Sequence, residues 1–151
     1  MRPRNPLVRL LKDDHGVTFI EIIVVIIIIG ILATFVAPKV FSWVDQARQA
    51  QARNQIASFN SALRLFYLDN GFYPSSEQGL KALVEKPTVG RTPSSYRPGG
   101  YIEKTPVDPW GNSYVYRPLD DGRRYEIKSL GADGQQGGEG NDADISSEDL
   151  G

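Results

Sequence analysis

Apolar positions along the chain fall into three regimes. From Val17 to Ala37 the run VTFIEIIVVIIIIGILATFVA is apolar on every side, with Glu21 its one charge. As a helix rising 1.5 Å per residue it would span about 30 Å, the thickness of a bilayer core. Beyond Pro38 the pattern turns amphipathic. Val40, Val44, Ala47, Ile56, Phe59, Leu63, Phe66 and Tyr67 recur mostly three or four apart, while Arg48, Gln49, Arg53, Asn60 and Arg64 take the other surfaces. Neither proline nor glycine interrupts Lys39 to Asn70, and Asn70-Gly71 is a stop signal. One helix over 17–70 is predicted, about 80 Å long, with soft points at Gly30 and Pro38. Its outer half must bury the apolar stripe against a small domain.

From Gly71 onward the periodicity shortens and Pro74, Pro87, Pro93, Pro98, Pro106, Pro109 and Pro118 punctuate the chain. A short helix is predicted over Ser76–Glu85, capped by Ser75 or Ser76. Ser113–Arg117 and Arg124–Ser129 alternate with the period of strands, and Pro118-Leu119-Asp120-Asp121-Gly122 joins them as a hairpin loop. The expected architecture is α+β, a long helix packed on a small antiparallel sheet. Tyr67, Phe72, Tyr73, Tyr101, Trp110, Tyr114, Tyr116 and Tyr125 would furnish the core. The predicted organisation is a leader over 1–16, an apolar helix over 17–38, a stem helix over 39–70 and a globular domain over 71–151.

Charge sharpens this division. The 151 residues hold 17 Lys+Arg and 18 Asp+Glu, without the basic excess of a nucleic-acid binder. There is no cysteine, hence no disulfide, thiolate metal site or cysteine nucleophile, and the single histidine, His15, excludes His-pair metal sites. No nucleophile–base pair stands out, so an enzyme is not expected. Arg2, Arg4, Arg9 and Lys12 precede the apolar run, whereas residues 131–151 hold six acids and no base. By the positive-inside rule the leader stays cytoplasmic and everything beyond Pro38 lies across the membrane.

The apolar run admits three readings: a cleaved secretory signal, a plain membrane anchor, or a segment with a use for Glu21. Phe35 spoils the small-x-small pattern of the first. The second leaves a carboxylate inside a membrane helix, at about 2.5–3.5 kcal/mol on insertion scales, unless it snorkels to the interface. Gly16-Val17-Thr18-Phe19-Ile20-Glu21, after a short basic leader and before an isoleucine-rich run, resembles the processing signal of type IV pilin-like proteins. That resemblance implies cleavage by a prepilin peptidase between Gly16 and Val17, N-methylation of Val17, and an assembly role for Glu21. The carboxylate would offset the buried ammonium of a neighbouring subunit. Val17 and Phe19 stand where Phe or Met and Leu are commoner in that family.

Further phrases narrow the resemblance: Tyr67-Leu68-Asp69-Asn70-Gly71 through Tyr73-Pro74 to Glu77-Gln78-Gly79-Leu80, Gly99-Gly100-Tyr101, Pro106-Val107-Asp108-Pro109-Trp110-Gly111, and Ser129-Leu130-Gly131-Ala132-Asp133-Gly134. Together they are similar to the major pseudopilins of type II secretion systems. The resemblance implies a homopolymeric pseudopilus that drives export of folded proteins across the outer membrane. It also implies, as partners, minor pseudopilins, the prepilin peptidase, an inner-membrane assembly platform, an outer-membrane secretin and membrane lipid before assembly, and no nucleic acid. The subunit would be a single-pass inner-membrane protein with a periplasmic globular domain, and periplasmic once assembled. A type IV pilin for adhesion, motility or DNA uptake is the alternative.

The acidic loop, 130–146, has no basic residue from Gly131 onward. By itself it reads as a solvated acidic tail or as a hard-cation site, and its spacing does not match an EF-hand. The family resemblance implies calcium, held by the Leu130 carbonyl, Asp133, Asp142 and Asp144. With these carboxylates crowded together, the loop is expected to repel itself unless a cation enters.

Overall fold

The computed structural model describes residues 17–150, and for 37–41 the backbone alone. The chain divides into two compact units, one ending at Phe41 and the other beginning at Ser42. Helix α1, Phe19–Asn70, is helical through both Gly30 and Pro38. It starts two residues later than the apolar pattern suggests, because Thr18 serves as its N-cap.

In the first unit the stretch Phe19–Val36 has a mean hydropathy of 3.1 and none of it is buried. It is long and apolar enough to cross a membrane. Phe19, Ile20, Ile26 and Phe35 are all more than 60% exposed. Among the described residues nothing removes this surface from water.

In the second unit α1 supplies one wall of the core. Ala52, Ile56, Phe59, Leu63 and Phe66 recur on one face and are almost fully buried. They meet Leu80, Ala82, Leu83, Tyr114, Ile127 and Ile145. Each large side chain so buried stabilises the unit by about 1.5–3 kcal/mol relative to exposure. The stripe is shorter than the sequence pattern: Val44, Ala47 and Tyr67 are exposed. Aromatic edges extend the core downward, with Phe66 against Phe72 at 5.6 Å and against Tyr101 at 5.3 Å. Asp69 and Asn70 close the end of α1. Asp69 pairs with Arg97 at 2.5 Å, and Asn70 donates to the Tyr101 hydroxyl at 2.9 Å.

The sheet is antiparallel in the order β1-β2-β3, with β1 Val115–Leu119, β2 Arg124–Ser129 and β3 Ile145–Ser146. Tyr116 pairs with Ile127, and Ser129 with Ile145. Strand β1 lies two residues beyond its expected place and includes Pro118. This is tolerated because β1 is an edge strand, where a missing N–H interrupts no ladder. The helix expected over Ser76–Glu85 is only a 3-10 segment, Gly79–Leu83. The Gln78 side-chain oxygen accepts from the Ser75 N–H at 3.1 Å while the Gln78 backbone N–H donates to the Ser75 hydroxyl at 3.3 Å, and Gly79 has φ +56°. A residue in the left-handed region cannot sit inside an α-helix.

Candidate functional site

Gly16, on which the cleavage expectation rests, lies outside the described residues. Val17 follows it and is 65% exposed. Thr18 and Glu21 then close a reciprocal pair at the start of α1. The Glu21 N–H donates to the Thr18 hydroxyl at 3.3 Å, and the Thr18 N–H donates to the Glu21 carboxylate at 3.4 Å. This is a capping box: threonine at the cap and glutamate three residues on satisfy two N–H groups the helix start would otherwise leave open. The sequence pattern Thr-x-x-Glu carries this signal, and reading Glu21 only as a charge in an apolar run overlooks it. The box holds the carboxylate at the end of the helix, beside the residue that would bear the new amino terminus.

The acidic loop is closed by hydrogen bonds. Ala132 N–H donates to the Asn141 carbonyl at 3.1 Å and Asp144 N–H to the Gly137 carbonyl at 3.2 Å. Gln49 of α1 donates to the Gly140 carbonyl at 2.9 Å. The Asp142 carbonyl is pinched between two glycines. A Cβ on either Gly131 (φ +66°) or Gly138 (φ +84°) would lie 2.5 Å from its oxygen. Only glycine fits at both points, for space and for backbone angle.

A turn of residues 108–112 underlies the loop. Asp108 is 3% exposed, and one oxygen accepts from the Asn112 N–H at 2.7 Å and the Trp110 N–H at 3.1 Å. Its other oxygen accepts from the Ser129 hydroxyl at 2.7 Å, at the end of β2. Asn112 reaches the Gly131 carbonyl at 3.0 Å, and the Trp110 indole N–H reaches the Asn141 side-chain oxygen at 3.2 Å.

The four expected ligands sit as follows. Leu130 is half-buried at the exit of β2. Asp133 is exposed and accepts from the Gln135 N–H at 3.0 Å. Asp142 is exposed, whereas Asp144 is half-buried. Among the described residues no three of His, Cys, Asp and Glu stand close enough to hold a metal ion. The expected crowd of three self-repelling carboxylates is therefore corrected. Asp133 turns to the backbone N–H of Gln135, and Asp144 meets Lys128 at 3.8 Å. Lys128 lies before the loop in sequence, and strand pairing brings it there, opposite Ser146. One feature does suit a cation: Asp144 Oδ1 is buried and has no hydrogen-bond partner.

Two family models match the chain. One is type II secretion system protein G, over residues 39–148, and the other is the prokaryotic N-terminal methylation motif, over residues 11–37. Among curated relatives, the type II secretion system core protein G of Pseudomonas aeruginosa is 48% identical over 134 residues, covering 89% of this chain and 94% of the relative. That of Vibrio cholerae is 46% identical over 135 residues, covering 89% and 92%. A similar solved structure is the major pseudopilin from the type 2 secretion system of enterohaemorrhagic Escherichia coli. It has a TM-score of 0.60 and 39% identity, over 68% of this chain and 88% of that one.

Proposed function

The chain belongs to the type II secretion system protein G family, and from that premise we propose how its residues serve a pseudopilus. The observation that carries this reading is the family match across 39–148, nearly the whole of the second unit. The chain is a pseudopilus subunit, a structural part of a secretion system. Its apolar stretch Phe19–Val36 is uncovered and needs either lipid or copies of itself to leave water. Before assembly the stretch anchors the subunit in the inner membrane, with the second unit on the periplasmic side. Afterwards the same surface forms the centre of a head-to-tail fibre. Growth of that fibre works with minor pseudopilins, an assembly platform and an outer-membrane secretin to export folded proteins. Deletion of the gene should empty the culture supernatant of secreted proteins, and a plasmid copy should restore them. An unchanged supernatant would refute the reading.

Processing before Val17 by a prepilin peptidase, followed by N-methylation, supplies the subunit that assembles. The match to the methylation motif over 11–37 supports this. Intact mass and amino-terminal sequencing of membrane-extracted protein should find Val17 first and carrying one methyl group. A start near Pro38 would oppose it.

The acidic loop takes calcium. The orphaned oxygen of Asp144 and the glycine-rich path of the loop support this reading. Asp144, Asp142, Asp133 and the Leu130 carbonyl would hold the ion only after the loop closes further, because no three of the acids stand together among the described residues; the ion would supply the positive charge their oxygens lack. The full-length chain in detergent should melt at higher temperature in calcium than in chelator, and Asp133→Ala should lose most of the difference. Equal melting of the wild type in both buffers would count against calcium.

A further inference from the structure

Exposed apolar side chains do not stop where the membrane-length stretch stops. Phe35 and Val36 end that stretch exposed, and Trp43 and Val44 follow at 65% and 43% exposed. Among the described residues the next exposed large apolar side chain along α1 is Leu65. Trp43 is not a core residue left partly bare. At about 100° per residue it falls about 160° round α1 from Phe59, whose face the core takes. Among the described residues no ring packs on its indole and no acceptor takes its indole N–H. The first charged side chains after it, Asp45 and Arg48, pair with each other at 3.8 Å, both of them exposed. The uncovered apolar run therefore ends on a tryptophan and a valine, and charge begins directly beyond them.

We propose that Trp43, with Val44 beside it, docks in the headgroup layer of the lipid bilayer before assembly. This rests on the reading of Phe19–Val36 as a membrane anchor. The lengths agree. The 18 residues of that stretch rise about 27 Å as a helix, close to the roughly 30 Å of a bilayer core. Seven more helical residues, from Val36 to Trp43, rise about 10 Å, and less when the helix is tilted. A headgroup layer is about 5–8 Å deep on each side of the core. Helical side chains lean back toward the N-terminus, so the indole reaches toward the lipid from its own Cα and enters that layer. The chemistry agrees as well. Indole has an apolar body and one N–H donor, and a headgroup layer offers apolar contact on one side and phosphate and ester oxygens on the other. The donor without an acceptor in the subunit finds one there. Water alone would leave the ring's apolar surface exposed, and the acyl core would leave the N–H unpaired. Docked in this way, Trp43 sets the depth at which α1 leaves the lipid.

The test uses the full-length chain in vesicles of phosphatidylethanolamine and phosphatidylglycerol. The chain has two tryptophans, Trp43 and Trp110. Subtracting the emission of Trp43→Phe from that of the wild type leaves the signal of Trp43 alone. The exchange is made on an exposed ring and leaves the core untouched. Flotation of the vesicles reports whether the chain is anchored at all. Lipids brominated close to the headgroup, or close to the chain end, then quench any ring they touch. The Trp43 signal should shift to shorter wavelength than indole in water, and should lose more intensity to shallow bromines than to deep ones. A floating chain whose Trp43 emits as indole in water, unquenched by either lipid, would overturn the docking and leave the anchor standing. Short-wavelength emission that neither lipid quenches would place the ring against a second copy of the chain and overturn the docking as well. Stronger quenching by deep bromines would put Trp43 in the acyl core and overturn the headgroup placement. A chain that does not float with the vesicles would overturn the anchor and the docking with it.

Discussion

The Lys128 ammonium stands 3.8 Å from one oxygen of Asp144 and leaves the other, Oδ1, buried without a hydrogen-bond partner. Lys128 also meets Glu126 at 3.2 Å, so one ammonium serves two carboxylates. All three side chains are about one-fifth exposed, where charges are weakly screened. In the absence of metal, Lys128 is the cation that faces Asp144 among the described residues. Lys128→Met should therefore cost about 1–2 kcal/mol in chelator. Calcium should recover at least half of the loss, so the calcium-dependent rise in melting temperature should be larger in the variant than in the wild type. A smaller rise would mean that Lys128 helps to hold the ion's ligands and does not compete with the ion.

The hairpin tip offers a stability test that involves no metal. Asp120 and Asp121 have φ of +50° and +53°, a region where a side chain costs about 1–2 kcal/mol. Asp120 has a return, an ion pair with Arg124 at 3.4 Å. Asp121→Gly should raise stability by about 0.5–1 kcal/mol, after the extra entropy of glycine in the unfolded chain is deducted. Asp121→Ala should lower it. Denaturant melts of the two variants must move in opposite directions for the strain to be real.

How much of the fold is legible in the sequence varies with the range of the interactions. The helix, the second strand and the α+β class follow from local periodicity, and the structure returns β2 at its expected bounds, Arg124–Ser129. Strand β3, only Ile145–Ser146, exists because β2 offers it an edge, and two residues carry no period. The 3-10 segment does not extend into an α-helix because Gln78 folds onto Ser75, and because Gly79 takes a left-handed φ that residue counting does not reveal. The acidic loop is legible as a charge imbalance, but its sequence makes it look isolated. Lys128, Gln49 and Trp110 reach it from other elements, and only the tertiary fold brings them there. At the helix start the reverse holds. The capping box is wholly local, and the spacing of Thr18 and Glu21 is enough to reveal it.

Tyrosine burial sets an alkaline limit. Tyr116 donates to the Pro74 carbonyl at 2.8 Å, and Tyr114 donates to Gln55. Burial is the main cause that pushes both phenols above their ordinary pKa, with the charge of Asp108 adding to it for Tyr114 and the neighbouring Tyr125 and Tyr73 for Tyr116. A raised pKa in the fold means that the unfolded chain releases the proton first. Stability is then complete below about pH 10 and falls as pH rises beyond it. Melting temperatures taken from about pH 9 to 11 should decline, and Tyr116→Phe should flatten the decline. A parallel decline in the variant would assign the alkaline loss to other groups.

Glu21 has two separable jobs. In the single subunit it accepts from the Thr18 N–H at 3.4 Å, closing the first turn of α1. In the fibre its charge would meet a neighbour's amino terminus. Glutamine satisfies a capping box nearly as well as glutamate, but it carries no charge. Alanine removes both functions. If the cap matters, Glu21→Ala should loosen the first turn by about 0.5–2 kcal/mol, while Glu21→Gln leaves it intact. Amide exchange at the start of the helix, in detergent, reads that difference. If the charge governs assembly, both variants should insert in the membrane, since each removes a charge from an apolar segment, and both should fail equally to form fibres. Sheared-fraction immunoblots and secretion assays read that second property. Normal fibres from Glu21→Gln beside none from Glu21→Ala would transfer the assembly role from the charge to the cap.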